Sequence, residues 1–247
     1  MNVLSLFSGI GGLELGLERA GMTTVGQVEI DPFCRQILTR HWPDVPKHDD
    51  VRTAVDWWQS EDRPQVDVIA GGWPCQPFSY AGKQKGITDE RWGWPWFRDV
   101  LAAIRPRHVI FENVAALLRD SEAFSICLED LSNLGFDAEW SVVSACSVGA
   151  PHMRKRLFVV ADSHGIPSQG LGSHGDHTDG PQAQDATRDA EADLWRSKVD
   201  WSLEATAVDV RDADGLSSGL AIKALGNAVV PQVAELIGRR IMAGVAA

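Results

Sequence analysis

The stretch NVLSLFSGIGG, residues 2–12, decides the fold class because an apolar run ends there in a cluster of glycines. Apolar positions follow at helical spacing over residues 13–20, and Gly21 closes them. The order is strand, tight turn and helix, which is a common opening unit of an α/β sheet. Glycines let the backbone approach a ligand closely, and the start of a helix directs free N–H groups at it.

The segments that follow repeat this alternation of strand and helix up to Asp162. Asp31 and Pro32 fit the N-cap and the first position of a helix that runs to about Trp42. Later strands are continuous apolar runs, typical of strands buried on both faces of a parallel sheet. Together they predict an α/β fold, mostly parallel, with helices on both faces. The later predicted strands cover residues 23–30, 66–72, 108–114, 138–145 and 156–162, and further predicted helices cover residues 96–104 and 121–134.

The composition changes at residue 163. Residues 163–219 are rich in Gly, Ser, His, Asp and Gln, and their acidic side chains outnumber the basic ones, which indicates a small loop-rich insert. Residues 220–247 resume a buried pattern with apolar side chains at helical spacing. We therefore predict a main domain at residues 1–162, the insert, and a C-terminal segment that returns to the main domain.

The overall composition excludes several classes of protein. Its four cysteines form no CxxC pair, so the sequence predicts neither a metal site nor a disulfide framework. No apolar run approaches the roughly 20 residues of a membrane span, and the N-terminal pattern of a secreted protein is missing, so we expect a cytoplasmic protein with no membrane contact. A formal net charge of −11 disfavours nucleic-acid binding only weakly, because a locally basic cleft is sufficient.

The glycine cluster and the next strand together indicate a nucleotide-like ligand. The cluster consists of Gly9, Gly11 and Gly12, and Glu29 ends the second predicted strand, where a carboxylate can accept hydrogen bonds from two ribose hydroxyls. A nicotinamide dehydrogenase and a methyltransferase both fit this pair, and the glycines alone also fit a simple tight turn. The Gly-x-Gly-Gly spacing, in place of GxGxxG, disfavours the dehydrogenase.

The segment GGWPCQPFS, residues 71–79, follows a buried strand at the edge where α/β sheets bind ligands. Most cysteines inside cells are small core residues. Here Pro74 and Pro77 stiffen the segment, so Cys75 is predicted to lie in a rigid turn beyond the strand end. A thiolate at this place is a candidate nucleophile.

Two further segments carry charged side chains at strand ends. Glu112 lies in FENV at the end of a buried strand, where desolvation raises a carboxyl pKa and suits it to donate a proton; helix capping is the alternative. Arg154 and Arg156 are two positions apart, so as strand residues they lie on the same face of the sheet. Together they can bind a base oxygen and a phosphate; a solvated basic face is the alternative.

In order and spacing, these blocks resemble those of the DNA cytosine-5 methyltransferase family. The resemblance implies a Rossmann-like fold that uses S-adenosylmethionine and releases S-adenosylhomocysteine, with double-stranded DNA as substrate. It also implies the roles of individual residues. The cofactor residues are Phe7, Gly9, Gly11, Gly12, Glu29, Ile30, Asp50, Val51, Asn227 and Val229; the catalytic residues are Cys75, Glu112, Arg154 and Arg156; the DNA contacts are Gln76, Ser79, Arg188, Arg196, Lys198 and Arg211.

The resemblance implies that the protein methylates C5 of a flipped-out cytosine through a covalent bond from Cys75 to C6. Residues 163–219 then form a short target-recognition region, and a cognate restriction nuclease is a candidate partner of a monomeric enzyme. The sequence departs from the family at His152, where many members carry glutamine, and its insert is short and acidic. An RNA cytosine-5 methyltransferase and a non-catalytic DNA-binding relative are the alternatives.

Overall fold

The computed structural model describes residues 1–74, 86–150, 153–163 and 228–245. Within these residues the chain forms one seven-stranded sheet. Its strands are β1 (Asn2–Leu6), β2 (Thr23–Val28), β3 (Lys47–His48), β4 (Val68–Gly71), β5 (His108–Val114), β6 (Phe136–Ser144) and β7 (Lys155–Ser163).

Among these residues an α-helix lies between each pair of successive strands up to β6, as the sequence predicts except for the short helix before β4, and a 3-10 segment lies between β6 and β7. Four short 3-10 segments accompany them, at Val51–Thr53, Gly86–Thr88, Ala115–Arg119 and Ala145–Val148. The α-helices are α1 (Gly12–Arg19), α2 (Pro32–His41), α3 (Ala54–Gln59), α4 (Trp94–Ile104), α5 (Ser121–Asn133) and α6 (Pro231–Val245).

The predicted start of α2 is confirmed in detail. The Asp31 side chain accepts a hydrogen bond from the backbone N–H of Phe33 at 2.9 Å, and Pro32 occupies the first turn, where its missing N–H costs nothing. Gly21 follows α1 with a φ of +94°, a left-handed conformation that favours glycine at the end of a helix. None of the described helices combines the length and the apolar character that crossing a membrane requires.

The strand order is β3-β2-β1-β4-β5-β7-β6, and the prediction of a mostly parallel sheet is confirmed. Strands β1 to β5 run parallel, whereas β7 runs antiparallel to both β5 and β6. Strand β1 pairs with β2 on one side and with β4 on the other. The strands after β1 therefore extend the sheet first on one side of β1, through β2 and β3, and then on the other side, from β4 onward. Such a change of direction opens a crevice at the carboxyl ends of the strands, where open α/β sheets bind ligands.

Apolar layers cover both faces of the sheet. On one face, aromatic rings of Trp73, Trp94, Phe97 and Phe111 pack together with centroid separations of 4.9 to 6.2 Å. On the other face, α1 and α6 pack against the sheet, and a Cβ atom at Gly16 would overlap the backbone of the first turn of α6. The C-terminal helix therefore contacts the first helix of the chain closely.

Candidate functional site

A cleft opens at the carboxyl edge of the parallel strands. Four segments that are far apart in sequence line it: the loop between Phe7 and Leu13, Gly72 after β4, Glu112 in β5, and Ala228–Val229 before α6. The fold thus brings predicted cofactor residues of the glycine loop, together with Val229, next to the predicted catalytic Glu112.

The glycine loop turns tightly and packs closely on its inner side. Phe7, Gly9 and Gly11 all have positive φ angles, of 54°, 56° and 90°. A Cβ atom at Gly11 would overlap the Trp42 ring, and one at Gly12 would overlap the carbonyl oxygen of Val229. A Cβ atom at Gly9 would meet no described atom within 4 Å. Two glycines therefore permit close packing, while Gly9 borders open space in the cleft.

Glu29 binds the backbone of this loop at Gly9. Its side chain is only 9% exposed, and its two carboxylate oxygens accept hydrogen bonds from the backbone N–H groups of Gly9 at 2.6 Å and Asp31 at 2.7 Å. Burial raises the pKa of Glu29, although these two hydrogen bonds act in the opposite direction. Each carboxylate oxygen keeps a second acceptor position, so Glu29 is able to bind ligand hydroxyl groups as well.

Three further predicted cofactor residues, Ile30, Asp50 and Val51, are not among the described residues that line the cleft. Ile30 is 68% exposed, and Val51 is half-buried against the core. The Asp50 carboxylate accepts hydrogen bonds from the backbone N–H of Arg52 at 2.9 Å and from its Nε at 2.8 Å. Hydrogen bonding to Arg52 lowers the pKa of Asp50, which keeps the carboxylate charged.

Glu112 combines burial with two nearby arginines. It is 8% exposed, and its Oε1 lies 2.9 Å from Nε of Arg156 in β7. Burial raises the pKa of Glu112 to about 7, against the lowering effect of the charges of Arg156 and Arg154. Both arginines therefore act on the same carboxyl group, and that group changes its charge near neutral pH.

The helix-capping alternative for Glu112 does not fit its position. Glu112 lies within β5, the next 3-10 segment begins after Val114, and the N-cap of α5 is Asp120. Arg156 occupies the position opposite Val114 across the antiparallel pair of β5 and β7.

The chain that leads to Cys75 is held against β5. A Cβ atom at Gly72 would lie 3.0 Å from both the carbonyl oxygen and Oε2 of Glu112. The Nδ2 of Asn113, which is 1% exposed, donates a hydrogen bond to the carbonyl oxygen of Trp73 at 3.3 Å. Sequence reasoning missed Asn113, although it stands beside Glu112 in FENV. Its amide fixes a residue two positions before the predicted nucleophile.

Sequence reasoning also missed a buried polar cluster beneath the glycine loop. It consists of Ser5 at the end of β1, Ser8 in the loop, Glu14 in α1 and Gln27 in β2, all buried. The sequence carries no distinct signal for this cluster, because Glu14 lies in the first turn of a helix that also contains Glu18 and Arg19.

The remaining predicted residues lie outside the described part of the chain, and their roles stay predictions. They are Cys75, Gln76, Ser79, His152, Arg188, Arg196, Lys198, Arg211 and Asn227. Among the described residues, no group of three or more His, Cys, Asp or Glu side chains has the arrangement of a metal site.

Comparison with known proteins identifies related sequences and folds. A family model described as C-5 cytosine-specific DNA methylase matches residues 1–211. The chain is 36% identical over 168 residues to the Type II methyltransferase M.NgoBI of Neisseria gonorrhoeae, covering 66% of this chain and 51% of that protein. It is 34% identical over 186 residues to the Type II methyltransferase M2.BsuMI of Bacillus subtilis, covering 72% and 46%.

A solved structure shares the architecture as well. The crystal structure of S. pombe Dnmt2 methyltransferase matches with 26% identity and a TM-score of 0.54, over 66% of this chain and 51% of that one. The chain spans about half the length of the curated relatives it matches.

Proposed function

The chain belongs to the C-5 cytosine-specific DNA methylase family, and from that membership we propose that it transfers a methyl group from S-adenosylmethionine to C5 of cytosine in double-stranded DNA. The observation that carries the proposal is the cleft in which the glycine loop and the buried Glu112 meet. A cofactor held by the loop and a base held at Glu112 lie side by side in such a cleft. S-adenosylhomocysteine and 5-methylcytosine are the products.

The described residues fit the chemistry of this cofactor. Its ribose carries two hydroxyl donors, and Glu29 offers free acceptor positions beside the loop. The N-terminus of α1 and the open space at Gly9 provide the close backbone approach that a nucleoside needs. When bound, the cofactor supplies a methyl group activated by a sulfonium centre. The assigned binding residues are Phe7, Gly9, Gly11, Gly12, Glu29, Ile30, Asp50, Val51, Asn227 and Val229.

The reacting carbon of the base requires help from the protein. Cytosine C5 is a poor nucleophile, so the Cys75 thiolate first adds to C6 and makes C5 electron-rich. Glu112 gives a proton to N3, so that no net negative charge builds up on the ring in the dry cleft. C5 then takes the methyl group. Loss of the C5 proton to solvent, departure of the Cys75 thiolate and return of the N3 proton to the Glu112 carboxylate restore the neutral aromatic ring and reset Glu112 for the next turnover.

The surroundings of Glu112 support its part in this sequence. Burial brings its pKa to about 7, so a fraction of the molecules carries the needed proton near neutral pH. Arg156, at 2.9 Å from Glu112, binds the O2 oxygen of the base, and Arg154 braces the Cys75 loop. The base reaches this pocket only by flipping out of the duplex, which costs a few kcal/mol.

In this proposal, residues 163–219 recognise the DNA sequence. They lie in the chain between the main domain at 1–162 and the C-terminal segment at 220–247 that returns to it. Gln76 and Ser79 contact DNA from the Cys75 loop. The insert contributes its basic side chains, which are Arg188, Arg196, Lys198 and Arg211. A restriction nuclease that reads the same site is the expected partner, since relatives carry Type II names.

The test of the proposed activity is transfer of tritiated methyl groups from S-adenosylmethionine to duplex DNA, followed by bisulfite sequencing of the product. We expect label on DNA, protected cytosines at one recurring sequence, and labelling that is slower by about 100-fold or more with Glu112→Gln. Label on RNA in place of DNA would move the substrate to the RNA alternative. No label on either nucleic acid, from protein that binds the cofactor, would contradict the proposal.

A further inference from the structure

Glu14 is a fully buried acid directly behind the glycine loop. It lies in the first turn of α1, and its side chain is 0% exposed. Ser5 and Gln27 are paired in register across β1 and β2, and their side chains and that of Ser8 lie near the Glu14 carboxyl group without a full hydrogen bond to it. Three neutral polar side chains from three segments therefore surround one carboxyl group.

Among the described residues, no charged side chain compensates this carboxyl group. Burial raises the pKa of Glu14 to about 7, and only the backbone and the neutral side chains of Ser5, Ser8 and Gln27 act in the lowering direction. No charged side chain of the described elements contributes. Within the described residues, neither carboxyl oxygen has a partner at full hydrogen-bond geometry, and neither does the Gln27 amide. A buried ionised carboxylate without a partner is costly, so this environment favours the neutral acid.

The cluster connects directly to the loop that lines the cleft. The Ser8 hydroxyl donates to Oγ of Ser5 at 3.0 Å, and Ser8 itself lines the cleft. The backbone of Ser8 accepts a hydrogen bond from the N–H of Gly11 at 3.0 Å and donates one to the carbonyl oxygen of Val28 at 3.0 Å. A change in the charge of Glu14 therefore acts on the residue that anchors the glycine loop to the sheet.

We propose that Glu14 is a positioning residue: while this buried acid is neutral, the glycine loop stays packed over it in its binding shape, anchored by Ser8, and cofactor affinity falls when Glu14 ionises. The second half of this statement rests on the proposed function, because it assumes that the loop binds S-adenosylmethionine. Ionisation places an unpaired charge beneath the loop, and the loop relieves it by opening to water. Glu14 touches neither cofactor nor base.

The first test needs no cofactor. Hydrogen exchange of the amides at residues 8–13 is measured in the wild type, Glu14→Gln and a control at about pH 6 and about pH 8.5, and converted to protection factors. The control is Glu122→Gln, which changes an exposed glutamate in the first turn of α5. We expect protection in the wild type and the control to fall about fivefold or more at the higher pH, while Glu14→Gln stays protected. An equal fall in Glu14→Gln, or no fall in the wild type, would overturn the role of Glu14.

The second test measures calorimetric affinity for S-adenosylhomocysteine at the same two pH values. We expect the affinity of the wild type relative to Glu14→Gln to fall about fivefold or more between them. If the ratio of the two affinities is the same at both pH values while hydrogen exchange of the loop responds as expected, ionisation of Glu14 does not control cofactor affinity. If no variant binds S-adenosylhomocysteine at either pH, the proposed function fails and so does the link between Glu14 and cofactor affinity. Hydrogen exchange still decides whether Glu14 positions the loop.

Discussion

At the scale of single residues, two buried glutamates at the cleft and its glycine loop differ in their surroundings. Glu112 is as buried as Glu29, yet its neighbours are arginines, whereas Glu29 binds backbone N–H groups. An acid beside cations suits a group that exchanges a proton with substrate. An acid fixed by backbone donors suits a static acceptor of hydrogen bonds.

The first prediction concerns Glu112→Gln. We expect the single-turnover methylation rate to fall by about 100-fold or more, because an amide cannot deliver a proton to N3 of the base. Calorimetric affinity for S-adenosylmethionine should stay within a few-fold of the wild type, because the change leaves the loop and Glu29 intact. Weak cofactor binding together with a normal rate at saturation would reassign Glu112 to the cofactor.

The second prediction concerns Glu29→Ala. Removal of the carboxylate takes away the acceptor for ribose hydroxyls and leaves the N–H of Gly9 without its 2.6 Å partner. Cofactor binding should weaken by about 1 to 3 kcal/mol, the range for lost hydrogen bonds to a charged group. Titration calorimetry measures this change. Unchanged affinity would count against the nucleotide site as a whole.

At the scale of elements, the contact between α1 and α6 determines the shape of the cleft wall. Gly16 in α1 lies against Pro231 and Ala234, and Val229, which lines the cleft, comes two residues before α6. The position of α6 therefore sets where Val229 stands above Gly12.

The third prediction uses two glycines of these helices as a matched pair. Gly16→Ala pushes a methyl group into the backbone of α6, so we expect a loss of about 1 to 3 kcal/mol in the free energy of unfolding and weaker cofactor binding. Gly244→Ala, near the end of α6, meets no described atom within 4 Å and should be neutral or stabilise by up to about 1 kcal/mol. Urea denaturation measures both. Equal effects of the two substitutions would show that this packing does not matter.

At the scale of the whole molecule, much of the fold could be predicted because long apolar strands and capped helices leave clear patterns. Strand β3 has only two residues and leaves no periodicity to detect. The sequence also does not predict that β7 runs antiparallel, because the apolar pattern of a buried strand is the same in either direction. The burial of Glu14 could not be foreseen, since an acid in the first turn of a helix is usually solvated.

The fourth prediction concerns stability against pH. The pKa of Glu14 is raised from 4.5 to about 7, so the folded protein binds more protons than the unfolded chain between these values. The contribution of Glu14 to the free energy of unfolding therefore falls as pH rises from about 4.5 to about 7, by about 3 kcal/mol, and stays low above that range.

Glu14→Gln removes this dependence, while Glu112 continues to act in the same direction in both proteins. We expect the variant to gain stability relative to the wild type as pH rises through this window, as measured by urea denaturation at a series of pH values. A constant difference between the two proteins across the window would contradict the assignment of a raised pKa to Glu14.

The central claim is covalent catalysis by Cys75 on cytosine, and one measurement tests it most directly. A duplex with 5-fluorocytosine at the methylated position is incubated with protein and S-adenosylmethionine, and the products are analysed by denaturing electrophoresis and mass spectrometry. Fluorine at C5 blocks the final loss of a proton, so the adduct cannot resolve. We predict a stable adduct attached at Cys75 in the wild type and in Cys146→Ala, and none in Cys75→Ala. An adduct that survives Cys75→Ala would contradict the account.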